Sequence, residues 1–461
     1  MLRVSGKVPS SFRDPSGFLF HRKGSIFRQI NTSYKKNYDQ LMDSGLYQNL
    51  VKAGLLIPHK EVKIKGANLR KAYKIIKPEL IPFISYPYEW CFSQLKNAAL
   101  ITLEIQKKAF EFGMSLKDCS AYNIQFVKGK PMLIDTLSFE EYHQGSPWIA
   151  YRQFCQHFLS PLALMSHKDI RLNQLFRVYI DGIPLDLTSS LLPFYTFFKF
   201  SLLSHIHLHA KSEKHFADKV IKKDNYKINR LSLLSLIDNL ESTIKNLNWQ
   251  PRGTEWANYY KETNYSRKAT KHKKQIVVNF LKKLKPKTVW DLGANTGSFS
   301  RLASKRGVQT ISFDIDPVAV EKNYLESVSK KEANVLPLLL DLTNPSPNIG
   351  WENQERMSLL DRGPTDTVFS LALIHHLAIS NNLQFNKIAH FFSKICKSLI
   401  IEFVPKNDSQ VKKLLATRED IFPDYTQESF EAKFRKYFII KSSIKIKNSQ
   451  RIMYLMKKKH N

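Results

Sequence analysis

The chain has 461 residues, of which 43% are apolar and 12% aromatic. That excludes a disordered protein, because such chains lack the side chains that offset ordering entropy, and its length favours two hydrophobic cores over one. The formal charge of +31 favours a polyanionic partner such as nucleic acid, acidic glycan or an anionic membrane surface, without choosing among them.

Cys91, Cys119, Cys155 and Cys396 are widely spaced and form no CxxC pair, so neither a zinc site nor a disulfide framework is expected. The opening MLRVSGKVPSSFRDPSG has no apolar signal core, and no stretch reaches about 18 uninterrupted apolar residues. The expectation is a cytoplasmic, soluble protein without integral membrane association. The most membrane-like segment, Leu191 to Leu208, is interrupted by Pro193, Lys199 and polar residues, and reads as a buried or peripheral helix.

In chain order, Asp-Pro-Ser-Gly at 14 to 17 and Lys-Gly at 23 and 24 split short aromatic runs and predict a hairpin. Helix signals follow from about 32 to 54. Strands are expected at Ala72 to Lys77 and Leu80 to Tyr86, then a helix from Glu89 to Phe112 that stops at Gly113. A second strand pair, Asn123 to Val127 and Met132 to Asp135, brackets the turn Lys128-Gly129-Lys130-Pro131, and helices fill 147 to 210. The lysine-rich and then amphipathic stretch beyond predicts a helical connector at 211–254, between a domain at 1–210 and another at 255–461. Between 261 and 287, ten Lys or Arg face the single acid Glu262, and an apolar face opens at Ile276.

Within the first domain, Asp118 precedes Asn123 by five positions, and Asp135 follows Asn123 by twelve at the end of an apolar strand. This resembles the catalytic loop and metal-binding acid of protein-kinase-like and aminoglycoside-phosphotransferase-like folds. The resemblance implies that Asp118 orients a hydroxyl, Asn123 and Asp135 hold magnesium, and Lys74 touches phosphate. Leu116-Lys117 departs from the family's usual pair, and no glycine-rich phosphate loop is found near the start. The plainer alternative is a small α+β domain in which Asp118 and Asn123 cap a helix or turn.

The strongest signal is Thr288-Val-Trp-Asp-Leu-Gly-Ala-Asn-Thr-Gly-Ser-Phe, an apolar run ending in an acid, then a Gly-x-x-x-Gly turn opening a helix at Thr296 to Arg306. Gly293 and Gly297 let backbone approach a ligand where a Cβ would intrude. Asp291 is placed to hold a cationic amino group, and Asp314, ending the strand Gln309 to Phe313, to accept ribose hydroxyls. A dinucleotide site would carry GxGxxG and would not place Asp291 where a pyrophosphate is repelled. Asp291-Leu-Gly-Ala-Asn-Thr-Gly resembles motif I of class I S-adenosylmethionine-dependent methyltransferases, with Asn295 where many members carry Gly. The resemblance implies a Rossmann-like seven-stranded fold and S-adenosylmethionine as cofactor. It further places Ile315 on the adenine, Asp341 on the adenine amino group and Leu342 beside it.

Strands are then expected at Thr367 to Leu373, Ser398 to Val404, Phe438 to Ile446 and Arg451 to Met456. His375 and His376 follow the first of these over the cleft where open α/β sheets bind ligands, and either could take a hydroxyl proton; Glu402 on the next strand is another candidate. Asn344-Pro-Ser-Pro follows the third strand rather than the fourth and lacks a closing aromatic, so it reads as a rigid loop and not as an amino-methylating box.

Lys117 to Asn123, Asp135-Thr-Leu-Ser-Phe and Ala372-Leu-Ile-His-His-Leu together resemble bacterial methyltransferases of the nodulation-protein type. The reading is thus an α+β, kinase-like accessory domain followed by an α/β methyltransferase domain acting on a small-molecule or glycan acceptor. The alternatives are an RNA methyltransferase, suggested by the charge, and a binding module using the N-terminal half.

Overall fold

The computed structural model describes residues 5–64, 71–211, 228–251, 266–416 and 419–459. The chain divides into two units, one comprising Leu2–Gln250 with Asn348–Arg356, the other Pro251–Pro347 with Met357–Asn461.

In the first unit, β1 (Ser5–Lys7), β2 (Gly17–Arg22), β3 (Ser25–Asn31), β4 (His59–Glu61) and β5 (Ala72–Pro78) form an antiparallel sheet in the order β1-β2-β3-β5-β4. The expected hairpin closes at Lys23-Gly24, both at positive φ. Helices at Lys35–Asp43 and Leu46–Lys52 answer the signals between 32 and 54. The segment expected as a strand at Leu80 to Tyr86 forms none. Pro78, Pro82 and Pro87 each lack an amide donor, and Ser85 spends its amide on the Gln125 side chain at 2.8 Å.

The long helix of this unit runs Phe92–Glu111, not from Glu89, because Cys91 caps it and Gln94 reaches back to the Cys91 amide at 3.0 Å. Two short antiparallel pairs follow, β6 (Met114–Leu116) with β9 (Phe139–Glu141), and β7 (Ile124–Val127) with β8 (Lys130–Leu133). Lys128 and Gly129 alone make the β7-β8 turn, both at positive φ. Lys130 and Pro131, expected in the turn, are paired in β8.

Residues 212–227 of the expected connector, and 252–254, lie outside the described residues. Its amphipathic part forms the helix Arg230–Asn246, which belongs to the first unit and is held there by Lys107 pairing with Asp238 at 2.5 Å and with Glu241. Asn348–Arg356 also belongs there. It is a tight loop in which Ile349 and Arg356 bond each other's backbones, Glu355 pairs with Arg13 at 2.7 Å, and the Arg356 guanidinium lies 4.2 Å from the Tyr122 ring centre.

The second unit is an α/β sheet of seven strands: β10 (Thr288–Leu292), β11 (Gln309–Asp314), β12 (Val335–Leu339), β13 (Thr365–Ser370), β14 (Cys396–Phe403), β15 (Phe438–Lys445) and β16 (Ile452–Lys458). Their order is β12-β11-β10-β13-β14-β16-β15, parallel from β12 to β14 and antiparallel in the last two pairs. Strand order reverses at β10, the topological switch point beside which such sheets bind ligands.

The helix Arg267–Leu284 packs Ala269, Ile276, Val277, Phe280 and Leu281 onto this sheet. Its apolar stripe opens at Ala269 rather than Ile276, and Lys273 lies within it. That ammonium is buried 2.7 Å from Glu402 on β14, itself fully buried. The Arg451 guanidinium stands 3.6 Å from the other Glu402 oxygen and grips Asp408 through Nε and Nη2 at 2.7 and 2.9 Å. A buried carboxylate that loses a cationic partner loses about 3–5 kcal/mol. Lys273→Met is therefore expected to lower unfolding free energy by that order in chemical denaturation, and Lys273→Met with Glu402→Leu to recover most of the loss.

Candidate active site

The loop after β10 is laced to the end of β11. The amides of Gly293 and Ala294 both donate to the Phe313 carbonyl at 2.9 Å, and the Asn295 amide donates to Asp314 Oδ2 at 2.7 Å. Gly293, Asn295 and Gly297 sit at φ of +72°, +50° and +77°, a conformation that glycine adopts freely and asparagine tolerates. A Cβ on Gly297 would stand 2.5 Å from Asn323 Oδ1 and 2.8 Å from Arg301 Nη1, so a side chain here would both strain the backbone and displace the buried ends of Asn323 and Arg301 on the neighbouring helices. The helix that follows is shorter than expected, Ser300–Ser304, because the residues from Thr296 on are turn.

Asp291 is buried and accepts the Ser300 hydroxyl at 2.6 Å. Burial pushes its carboxyl up to about 7, against the pull of Ser300 and of the Lys273 charge. Asp314 is also buried; its Oδ1 takes the Asp316 amide at 2.9 Å, and burial lifts it to about 6. Backbone amides orient Asp314. Between it and Asp316, the capping residue of the helix Pro317–Ser329, Ile315 presents an exposed side chain. Asp341 lies just past β12 and half-buried, its Oδ1 taking the Thr343 amide and hydroxyl at 2.8 and 2.6 Å; Leu342 is half-buried beside it.

The fourth parallel strand stops at Ser370, three residues short of the expected Leu373, and Ala372 turns the chain at φ +52°. His375 and His376 therefore begin a wide helical turn, with ring centres 4.2 Å apart. His375 is buried, its Nδ1 has no hydrogen-bond partner, and burial, then the neighbouring His376 and the Arg451 and Lys273 charges, hold it well below the usual imidazole range. It is neutral at pH 7. His376 is half-exposed. Glu402 is placed as a counter-ion between Lys273 and Arg451, with no surface through which to meet an acceptor.

Sequence reasoning missed Lys273 and Arg301. Arg301 is buried with its Nε 2.9 Å from Glu332, its Nη1 on the Thr296 carbonyl, and its Nη2 on the Asn323 carbonyl. It ties the glycine turn to the helix Pro317–Ser329. Lys273 was within reach of a helical count, since 269, 273, 276, 277 and 280 share one face.

In the first unit, Asp118 Oδ2 accepts the Asn123 amide group at 2.9 Å, and its Oδ1 accepts Gln153 and the Ser120 amide. Burial, then the Asp135 charge, raises its carboxyl above the ordinary range. Asp135 pairs with Arg28 at 2.8 Å, and Arg28 also holds Asp14 at 2.6 Å. Lys74 pairs with Glu61 on the adjacent strand β4 at 2.6 Å. Among the described residues, no group of three or more His, Cys, Asp or Glu side chains is placed to hold a metal ion.

An α/β sheet with its order reversing at β10, a glycine turn there, and acids at the ends of β10 and β11 are the features of the class I methyltransferase fold. Residues 265–459 match the family described as FtsJ-like methyltransferase. The chain is 35% identical, over 97% of its length and 95% of the relative's, to nodulation protein NoeA of Rhizobium meliloti (strain 1021). It belongs to the same family as that protein. Among solved structures, the N-methyltransferase NodS from Bradyrhizobium japonicum WM9 overlays on 42% of this chain and 99% of its own at 8% identity and TM-score 0.31. The magnesium protoporphyrin IX methyltransferase from Synechocystis PCC 6803 with bound SAH overlays on 44% and 93% at 17% identity and TM-score 0.30. Overlays at that level add nothing to the assignment.

The two lifted carboxyls set a pH dependence. Each binds its proton more readily folded than unfolded, so the folded state holds more protons between about pH 4, the unfolded carboxylate range, and about pH 7. Their contribution to stability is full at the acid end and declines as pH rises through that window. For a cation placed beside Asp291 the dependence would run the other way, because only the ionised carboxylate attracts it. Calorimetric titration with S-adenosylmethionine is expected to tighten from pH 5.5 to pH 7.5, and in Asp291→Asn to lose most of that slope.

Proposed function

We propose that the second unit binds S-adenosylmethionine and transfers its methyl group to a small-molecule or glycan acceptor. The observation that carries this is the pair of buried carboxylates, Asp291 and Asp314, at the ends of adjacent parallel strands, each lifted by burial and, among the described residues, neither in a direct ion pair with a cation. Burying two such groups is costly unless a ligand repays it. An ammonium group suits Asp291 and a pair of hydroxyl donors suits Asp314. Ile315 offers an apolar surface to a base, Asp341 and Leu342 line the neighbouring strand end, and Gly293, Asn295 and Gly297 keep the turn low enough for close approach. The cofactor supplies an activated methyl group on a sulfonium.

We assign the removal of a proton from a hydroxyl acceptor to the imidazoles past the end of β13, His375 and His376. His376, half-exposed, is the better placed; His375 is neutral and has Nδ1 unspent. His376→Ala is expected to lower turnover about a hundredfold or more while leaving cofactor affinity unchanged. Glu402 we assign to holding Lys273 in place.

The glycan reading draws on the likeness to a nodulation protein. The charge of the chain leaves an RNA acceptor as the competing reading, although Lys273, within the basic stretch, spends its charge internally; residues 261–265 of that stretch lie outside the described residues. Titration with S-adenosylmethionine, then a labelled-methyl screen of glycan, lipid and RNA fractions, tests donor and acceptor in turn. Binding to wild type and none to Asp291→Asn/Asp314→Asn is expected, with label in the glycan or small-molecule fraction. Label in RNA, with binding that falls steeply with salt, would replace the acceptor assignment.

For the first unit we infer a kinase-like ancestry from Asp118, Asn123 and Asp135, and a present role as scaffold. Asp135 is neutralised by Arg28, and Lys74 pairs with a strand glutamate where kinases use one on a helix. No magnesium-dependent ATP binding is expected; binding abolished by Asp135→Ala would overturn the scaffold role.

A further inference from the structure

We propose that the aromatic knuckle at Phe194–Phe198, with Phe200 beside it, is a peripheral docking surface for an anionic lipid bilayer. Phe194, Phe198 and Phe200 are 74%, 78% and 75% exposed, three phenylalanines in seven residues turned to water. Single exposed apolar side chains need no explanation, whereas a contiguous group of this kind marks an interaction surface. Two of these rings are in contact, Phe194 lying 5.6 Å from Phe198 edge-on and 5.7 Å from Phe197, with Phe200 two positions further along the chain.

The display is built from beneath. Thr196, fully buried, donates its hydroxyl to the Pro193 carbonyl at 2.6 Å and meets His207 Nε2 at 3.0 Å. Phe197 stacks on the His207 ring at 3.7 Å between centres, and His207 Nδ1 meets the Ser189 hydroxyl at 2.8 Å. Thr196 and Phe197 of the short helix Phe194–Phe198 are thus locked inward, and Phe194, Tyr195 and Phe198 stay exposed.

The polar members of the patch favour a lipid headgroup. Lys199, exposed between Phe198 and Phe200, lies 5.8 Å over the Tyr195 ring, and the Tyr195 hydroxyl reaches His167 at 3.3 Å. Aromatic rings with a polar edge and a flanking ammonium are the side chains that settle at a membrane–water boundary, apolar part in the acyl region and charge at the phosphates. The net charge of +31 adds long-range attraction to an anionic leaflet. A second copy of the chain fits less well. Three rings about three-quarters exposed offer roughly 450 Å², against the roughly 800 Å² per partner of a stable dimer. Among the described residues no helix is long and apolar enough to cross a membrane, so the contact is a surface one. It is independent of which acceptor the second unit methylates.

The full chain is sedimented with vesicles of phosphatidylcholine alone and of phosphatidylcholine mixed with phosphatidylglycerol. Wild type is expected to bind the mixed vesicles, less as salt rises. Phe194→Ser/Phe198→Ser/Phe200→Ser should lose about tenfold or more in partitioning, and Lys199→Glu should weaken binding to the mixed vesicles only. An unchanged thermal melt shows that the triple variant is folded. Should it not fold, Phe198→Trp is expected to be quenched by brominated lipid in mixed vesicles. Failure of wild type to bind mixed vesicles, equal binding by the folded triple variant, or an unquenched Trp overturns the proposal. So does a wild-type dimer that the triple variant dissolves while vesicle binding persists.

Discussion

Lys273 carries one positive charge into the interior of the second unit, and two buried carboxylates compete for it. Glu402 takes the direct contact at 2.7 Å, while Asp291 feels the same charge only at a distance. Arg451 supplements the pair from the other side but divides its guanidinium with Asp408. The account of charge beneath the sheet therefore closes around Glu402 and stays open at Asp291. A carboxylate left with a hydroxyl donor and a remote ammonium is raised to about 7, and among the described residues no cation pairs with it directly. That shortage lies at the switch point of the sheet, and the proposed binding of a cationic ligand rests on it.

The glycine turn sets the geometry of the same site. Gly293, Ala294 and Asn295 spend their amides on the Phe313 carbonyl and the Asp314 carboxylate, so β10 and β11 present their acids in a fixed relation. Arg301 braces the turn from the far side through Glu332 and two backbone carbonyls. The acids, the turn and its brace form one hydrogen-bonded unit, in which the residues of the proposed cofactor site are held by residues outside it.

How much of this was legible in the sequence depended on distance along the chain. Asp291, Gly293, Gly297 and Asp314 fall within 24 residues and announce themselves by local pattern, because backbone angles and strand ends are local matters. At Glu402 both a base and a structural salt bridge could be read from the sequence, and its partner Lys273 lies too far away in sequence for any local pattern to decide between them. Likewise the pairing of Asp135 with Arg28 on β3 joins positions too far apart for the local pattern around Asp135 to reveal it. At Leu80 to Tyr86 the apolar pattern suggested a strand, and the prolines around it had already removed the donors a ladder needs. The residues 348–356 gave no sign that they belong to the first unit.

That loop bears on how the molecule is made. A ribosome that has released the first 250 residues has not yet released Glu355, the partner of Arg13, or Arg356, which covers Tyr122. Synthesis must pass through β10, β11 and β12 before the earlier unit receives its last nine residues. The N-terminal half therefore matures only after much of the other half has been synthesised, and cutting the gene at the boundary between them would leave one product short of a piece and the other carrying a loop with nowhere to go.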